Sequence, residues 1–165
     1  YIISAYSFSK THAMTGWRIG YIVASKTVID ELLKLSQFSI TSLAPFSQMA
    51  ALAALSESEV QQYSESMRAE YESRRSHIIE KTKGTWLEKS MTVPEGTFYI
   101  LIDISAFNLS SLVIAKKFVE VAGVSFTPGI AFGDNMDNFL RMCFATSLTN
   151  IDLAIDALIE FYRHK

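Results

Sequence analysis

The sequence predicts an α/β protein, because two kinds of apolar pattern alternate along it. Short β-prone runs end at turn residues, as in YIISAY at residues 1–6 and TFYILI at residues 97–102. Longer segments, at residues 25–38, 57–83 and 149–163, repeat apolar residues with the helical period. Apolar residues make up 49% of the 165 residues and charged residues 19%. This composition is sufficient for a sizeable core and excludes a disordered chain.

Charge and cysteine content narrow the class of protein further. The net charge is −2 and both signs are mixed along the chain, so nothing indicates a nucleic-acid partner. No run of eighteen apolar residues is present, so no membrane span is predicted. The single cysteine, Cys143, cannot form a disulfide within the chain and fits a reduced, cytoplasmic setting. No spacing of His, Cys, Asp and Glu indicates a metal site.

The first 55 residues are predicted to form two strands and two helices. A strand at residues 1–6 leads into a polar loop at 7–15, and a second strand is predicted at 17–24. The periodic segment at 25–38 predicts a helix. A further helix at 45–55 begins with proline, which the first helical turn tolerates. Because this helix is apolar on all sides, it is expected to be buried, either inside the monomer or against a partner subunit.

The remaining residues are predicted to form three helices that alternate with short strands. Gly84 is a natural stop for the first helix, Ser110 a cap for the second, and residues 149–152 resemble a capping box for the third. In chain order we expect a helix at 57–83, strands at 91–93 and 97–102, a helix from Ser110 to 121, strands at 124–126 and 139–145, and a helix to 163.

The loop at residues 7–15 holds a lysine with an arginine shortly after it. An activated lysine amine is used chiefly to form a Schiff base with a carbonyl compound or with pyridoxal phosphate. Arg18 and the neighbouring hydroxyl side chains suit a phosphate group, because the guanidinium fork matches phosphate oxygens. The simpler alternative is that Lys10 is a solvated loop residue and that Arg18 forms a surface salt bridge.

The order of residues in this loop resembles a known motif. The loop reads Ser-Phe-Ser-Lys, two residues, Ala-Met, one residue, Gly, one residue and then Arg-Ile-Gly. This order is similar to the lysine-attachment motif of class I/II pyridoxal-phosphate aminotransferases, which are enzymes of fold type I. The resemblance implies that Lys10 is the Schiff-base lysine and the catalytic base. It also implies that Ser7 and Arg18 bind the phosphate of pyridoxal 5'-phosphate. His12 is expected to pack or to form a hydrogen bond within the loop.

Arg141 stands alone in the apolar strand predicted at residues 139–145, and a charge in such a strand needs an anionic partner. Arg-Met-Cys-Phe-Ala-Thr-Ser resembles the run in which these enzymes bind the α-carboxylate of the substrate, which implies that role for Arg141. The alternative is a structural salt bridge with Asp103 or Asp137. Phe98 and Tyr99 match another family run near the substrate cavity, although both could be simply core and strand residues.

The resemblance also carries expectations about the whole enzyme. It implies amino transfer between an L-amino acid, with aspartate as the guess, and a 2-oxo acid, in a homodimer. Family enzymes are much longer, so we expect a C-terminal portion that is inactive alone. Residues 1–44 would be a remnant of the cofactor-binding large domain. Residues 45–165 would form connecting helices and a small domain with a mostly antiparallel sheet and helices on one face.

Two other functions remain open at this stage. A carbon–sulfur lyase or a synthase of the same fold could share the lysine and both arginines. A chain without catalytic activity could fold and self-associate through exposed apolar surface. The first differs from an aminotransferase in releasing a 2-oxo acid without an amino acceptor.

Overall fold

The computed structural model describes residues 2–163, and its internal contacts divide the chain into two units, Tyr1–Arg68 and Ala69–Lys165. The division falls inside one long helix, Ser58–Thr82. The domain boundary expected at residue 44 stays a prediction. No helix in the described part of the chain is long and apolar enough to cross a membrane.

The first unit contains one antiparallel strand pair and a series of helices. In β1 and β2, Ser4 pairs with Val23 and Ser7 pairs with Gly20. The elements are β1 (Ser4–Ser7), α1 (Phe8–Thr11), β2 (Gly20–Val23), α2 (Lys26–Ser39), α3 (Pro45–Ser56) and the first part of α4 (Ser58–Thr82).

The segment between the two strands differs from the sequence-based expectation in two ways. The predicted loop contains a helical turn, α1, because the side chain of Ser7 caps it by accepting a hydrogen bond from the backbone N–H of Ser9. The strand predicted from residue 17 begins only at Gly20, since Thr15–Trp17 forms a 3₁₀ turn and Arg18 has a left-handed backbone, with φ of 52°. A left-handed residue cannot continue an extended strand. The strand predicted at residues 1–6 is β1, and Tyr1 lies outside the described residues.

Helix α3 is not enclosed in the interior of the described chain. Its small residues Ser47, Ala51 and Ala54 are buried, whereas four large apolar side chains are more than half exposed. The described residues therefore do not cover this face of α3, and the alternative that α3 is an interior helix of the monomer stays a prediction. Those exposed side chains are Phe46, Met49, Leu52 and Leu55. The expectation that this helix packs against a partner subunit stays a prediction.

The second unit is a four-stranded sheet with helices. Strand order is β3-β4-β6-β5 and every pairing is antiparallel, as predicted for the small domain. Its elements after α4 are α5 (Leu87–Ser90), β3 (Met91–Thr92), β4 (Tyr99–Asp103), α6 (Ser111–Ala122), β5 (Thr127–Pro128), β6 (Phe139–Cys143) and α7 (Leu148–Arg163).

The two faces of this sheet have different neighbours. Successive side chains of a strand point to opposite faces. Ile100, Ile102 and Leu140 are buried in one hydrophobic core with residues of α4, α5, α6 and α7. The alternate residues Tyr99 and Leu101 line a cavity on the other face. The alternation of side chains along β4 thus gives the sheet one face that packs against the core and one face that borders the cavity.

Several predicted boundaries in this unit are wrong. The strand expected at residues 124–126 is at Thr127–Pro128, where Thr127 pairs with Arg141. Helix α7 begins before the predicted capping box, because the hydroxyl of Ser147, rather than that of Thr149, accepts a hydrogen bond from the backbone N–H of Asn150, at 3.2 Å. The cap at Ser110 is confirmed, since its side chain accepts from the N–H of Val113. Helix α5 was not predicted.

Candidate functional site

Lys10 lies in the short helical turn α1. The backbone N–H of Ser9 donates to the hydroxyl of Ser7 at 3.1 Å, and Phe8 is buried beneath the turn. The turn closes where the N–H of His12 donates to the carbonyl of Phe8. Lys10 itself is exposed. The sequence therefore fixes the backbone on both sides of the lysine while its side chain remains accessible.

Arg18 lies at the same end of the strand pair as this turn. Ser7 pairs with Gly20, and the N–H of Phe8 donates to the carbonyl of Ile19 at 3.3 Å. One terminal nitrogen of Arg18 donates to the carbonyl of Thr15 at 2.9 Å, which fixes the guanidinium against its own turn. Within residues 2–163 no carboxylate forms a salt bridge with Arg18. The surface ion pair that the sequence left open is therefore not observed.

Gly20 explains how closely the two strands approach near the turn. A Cβ at this position would collide with the carbonyl oxygen of Tyr6 on the paired strand. Only glycine therefore permits this pairing, which carries the backbone from Arg18 back alongside Ser7.

His12 packs within the loop, as expected from the sequence, but its hydrogen-bond partner lies outside the loop. Its ring lies 5.3 Å from the ring of Phe8, centroid to centroid, and its Nδ1 is 3.4 Å from the hydroxyl of Ser64 on α4. The histidine therefore joins the lysine turn to α4.

Arg141 borders a cavity of about 380 Å³ in the second unit. Its guanidinium carbon lies 4.2 Å from the ring centroid of Tyr99 and 4.7 Å from that of Phe132. One terminal nitrogen donates to the hydroxyl of Thr127 at 3.2 Å. The lining is mainly apolar, and among the described residues Arg141 is its only charged side chain. The lining residues are Thr92, Pro94, Thr97, Tyr99, Leu101, Phe132, Met136 and Arg141.

No protein carboxylate pairs with Arg141 in the described part of the chain. The two candidates have other partners: Asp103 accepts from the N–H of Ser105 at 2.8 Å, and Asp137 accepts from Ser111. The Nε atom of Arg141 is buried and lacks a hydrogen-bond partner among these residues. A buried donor without an acceptor is unfavourable, so this arrangement favours an external anion.

The surroundings of Arg141 were only partly predicted. Phe98 packs against the core, whereas Tyr99 contacts the guanidinium, so only one of the two aromatic residues is a core residue. The contacts of Thr127 and Phe132 with Arg141 were missed. Both residues are too far from Arg141 in the sequence for a local pattern to indicate these contacts. The pairing register of β5 and β6, which places Thr127 opposite Arg141, would have indicated the contact of Thr127.

The comparisons with known proteins decide the family. A family model described as aminotransferase class I and II matches residues 1–158. The chain belongs to this family. An aspartate aminotransferase from Pyrococcus horikoshii is 39% identical over 145 residues, which cover 88% of this chain and 37% of that protein. A probable aspartate aminotransferase from Methanocaldococcus jannaschii is 37% identical and covers 94% of this chain and 41% of its own length.

Solved structures support the same fold. The crystal structure of an aromatic aminotransferase from Pyrococcus horikoshii matches 98% of this chain and 43% of its own chain, with a TM-score of 0.90 and 30% sequence identity. The fold-type-I architecture predicted from the sequence is thereby confirmed. This aminotransferase chain spans about two fifths of the length of the relatives that it matches.

Class I and II aminotransferases use pyridoxal 5'-phosphate, and the first unit contains groups that fit this cofactor. Lys10 supplies an exposed primary amine, and Ser7 supplies a hydroxyl at the start of the same turn. Arg18 supplies a cation that has no carboxylate partner among residues 2–163. These are the donor types that an aldehyde and a phosphate require. Among residues 2–163, no group of three or more His, Cys, Asp or Glu side chains could hold a metal ion.

Proposed function

We propose that this chain carries the attachment lysine and the substrate-binding arginine of a pyridoxal-phosphate-dependent aminotransferase. The reaction would move an amino group between an L-amino acid, with aspartate as the first candidate, and a 2-oxo acid. The main support is Arg141, a cation in contact with two aromatic rings beside a cavity, with no carboxylate partner in the described chain. An amino acid and a 2-oxo acid each carry a carboxylate, which is a group that an arginine guanidinium binds well.

In this proposal the residues near α1 hold the cofactor. Ser7 and Arg18 bind its phosphate, the first as a neutral donor and the second as a charged fork. Lys10 would attach the cofactor through its amine and, with its amine free, would accept the proton of the substrate's α-carbon on Nζ. The bound cofactor supplies an electron sink for that carbon.

Arg141 binds and orients the carboxylate of the substrate. The rings of Tyr99 and Phe132 both contact the guanidinium, with cation–π geometry that restricts its movement. The donation to Thr127 fixes the rotation of the guanidinium. An arginine that is already held in place loses less side-chain entropy when a carboxylate binds. The mainly apolar lining excludes water and strengthens the contact between opposite charges.

Labelling of the lysine tests the cofactor part of the proposal. The 165-residue chain is incubated with pyridoxal phosphate, reduced with borohydride and digested, and the labelled peptide is identified by mass spectrometry. We expect one dominant label at Lys10 and its loss in Lys10→Ala. Lys26→Ala is the matched control, because Lys26 is another exposed lysine in the same unit, paired with Asp30. Equal labelling of many surface lysines would contradict the proposal.

Two other functions differ in what they release. A carbon–sulfur lyase or synthase would share Lys10, Arg18 and Arg141 but would not need an amino acceptor. Production of a 2-oxo acid by the full-length protein, measured with and without a second 2-oxo acid, separates these enzymes from an aminotransferase. A non-catalytic, self-associating chain would show neither labelling at Lys10 nor turnover. Homodimer formation and a cytoplasmic location stay predictions.

A further inference from the structure

Ser111, the first residue of α6, is fully buried, and its backbone N–H and hydroxyl take part in four hydrogen bonds, one of them from the N–H to the carbonyl of Asp137 at 3.0 Å. Its hydroxyl donates to Oδ1 of Asp137 at 2.7 Å, and its backbone N–H lies 2.9 Å from the same oxygen. The backbone N–H of Ile130 donates to the Ser111 hydroxyl at 3.1 Å. One serine thus joins two points of the segment that connects α6 with β6.

The segment between these two points carries Phe132. It consists of the 3₁₀ turns Gly129–Phe132 and Asp134–Met136. At Gly129 the segment approaches itself so closely that a Cβ would collide with the carbonyl oxygens of Met136 and Phe139. The two ends of the segment are therefore held together at Ser111, and Phe132 lies between them.

We propose that Ser111 and Asp137 are positioning residues that hold Phe132 against the guanidinium of Arg141. This inference rests on the proposed function of Arg141 as a carboxylate-binding residue. Neither Ser111 nor Asp137 lines the cavity, so both act through the position of the ring.

The physical chain of effects has two steps. Without the Ser111–Asp137 contact, the segment loses hydrogen bonds to a charged oxygen, which are among the stronger ones in proteins. The ring of Phe132, 4.7 Å from the guanidinium, is then no longer fixed. The arginine loses one cation–π contact and its buried Nε gains access to water. A mobile, hydrated arginine binds a carboxylate more weakly.

The test compares four variants of the 165-residue chain. Ser111→Ala removes the two hydrogen bonds of the hydroxyl, and Asp137→Ala removes both hydrogen bonds to Oδ1. The bond from the backbone N–H of Ser111 to the carbonyl of Asp137, at 3.0 Å, remains in both variants. Asp137→Asn retains an oxygen that can accept both hydrogen bonds, so it is the conservative rescue. Ser110→Ala is the matched control, because it removes a cap of the same helix and leaves the Ser111–Asp137 contact unchanged.

Two measurements report on Arg141. The first is the rate of hydrogen exchange at its Nε–H in the ligand-free chain, measured by ¹⁵N NMR and assigned with Arg141→Lys. The second is the dissociation constant of 3-phenylpropanoate, with uncharged 3-phenylpropan-1-ol as the reference ligand. We expect both alanine variants at Ser111 and Asp137 to exchange faster and to bind the carboxylate about tenfold more weakly, the size of one lost cation–π contact.

Asp137→Asn and Ser110→Ala should resemble the wild-type chain in both measurements. The inference is overturned if Asp137→Ala keeps the wild-type exchange rate and affinity, or if Ser110→Ala weakens binding as much as Ser111→Ala. Failure of the wild-type chain to bind 3-phenylpropanoate would instead overturn the carboxylate role of Arg141. The exchange rates, which need no ligand, would still decide whether Ser111 and Asp137 hold the ring.

Discussion

Replacing Arg141 by lysine keeps the positive charge at the cavity and removes the planar fork. In the wild-type chain the guanidinium contacts the rings of Tyr99 and Phe132, at 4.2 and 4.7 Å, and donates to Thr127. A lysine ammonium is a compact, strongly hydrated charge that cannot contact two rings in the same way or bind a carboxylate through two parallel bonds. Arg141→Lys therefore tests geometry rather than charge.

The size of the expected effect follows from the contacts that lysine cannot reproduce. One charge-assisted hydrogen bond of the bidentate pair is lost, which costs about 1.5–3 kcal/mol. The charge itself remains, so the electrostatic attraction for the carboxylate is kept in part. We expect the dissociation constant of 3-phenylpropanoate to rise by roughly 10- to 150-fold in Arg141→Lys.

Isothermal titration of the 165-residue chain with 3-phenylpropanoate measures this change. The matched control is Arg163→Lys, because Arg163 is an exposed arginine in the same unit with a simple ion pair to Glu160. The control should bind the ligand with the wild-type constant. The measurement is repeated with 3-phenylpropan-1-ol, which should bind the wild-type chain and Arg141→Lys alike, because it has no carboxylate for the fork.

Two results would refute this reasoning. If Arg141→Lys binds the carboxylate as tightly as the wild type does, the fork and its stacking contribute nothing to recognition. If Arg163→Lys weakens binding to the same extent, the ligand responds to the net charge of the chain and not to the Arg141 cavity.

Three further predictions concern the rest of the chain. Phe118→Ala, at a buried side chain packed against two other rings, should lower the free energy of unfolding by about 3–5 kcal/mol in denaturant titrations, whereas Val121→Ala on the exposed side of the same helix should change it little. Hydrogen bonds from His77 and Lys81 lower the pKa of Asp152. The ionised form of Asp152 therefore stabilises the fold at pH values above the ordinary pKa of an aspartate, and this stabilisation is lost as the pH falls through the lowered pKa. Asp152→Asn should therefore reduce the thermal midpoint of unfolding at pH 6, by the equivalent of at most about 1 kcal/mol after solvent screening. The difference between Asp152→Asn and the wild type should shrink towards pH 3, and an undiminished difference at pH 3 would contradict this prediction. Finally, the 165 residues alone are expected to show no amino transfer in a 2-oxo acid assay, because they span about two fifths of their relatives' length, and robust turnover would disprove that expectation.

The sequence indicated which residues form the candidate cofactor site, which stays a prediction, but it did not indicate their local backbone. Lys10, Ser7 and Arg18 stand at restricted positions of a short motif, so they could be found without a structure. The helical turn around Lys10 and the left-handed backbone of Arg18 could not, since both depend on caps and on the pairing of Ser7 with Gly20. Motifs record residue types, whereas backbone conformation in a short loop is decided by contacts made across it.

For the substrate part, the sequence predicted a cation that needs an anion, and the structure supplied its neighbours. Thr127 and Phe132 precede Arg141 by 14 and 9 positions, and no periodic pattern links them to it. The strand that carries Thr127 was placed three residues too early, because Thr127–Pro128 is only two residues long and is defined by its partner β6. Such a strand has too little local signal to be predicted without its partner.

The arrangement of β6 shows why stability and recognition are linked in this unit. Leu140 and Met142 are buried on the core face of the sheet, and Arg141 between them is directed to the cavity. A shift of one residue in the pairing of β6 would exchange the faces, placing a guanidinium in the core and two apolar side chains at the cavity. Both outcomes are costly, so the core itself selects the register that presents Arg141. Substitutions that loosen the core near Leu140 should therefore weaken carboxylate binding even though they do not touch the cavity.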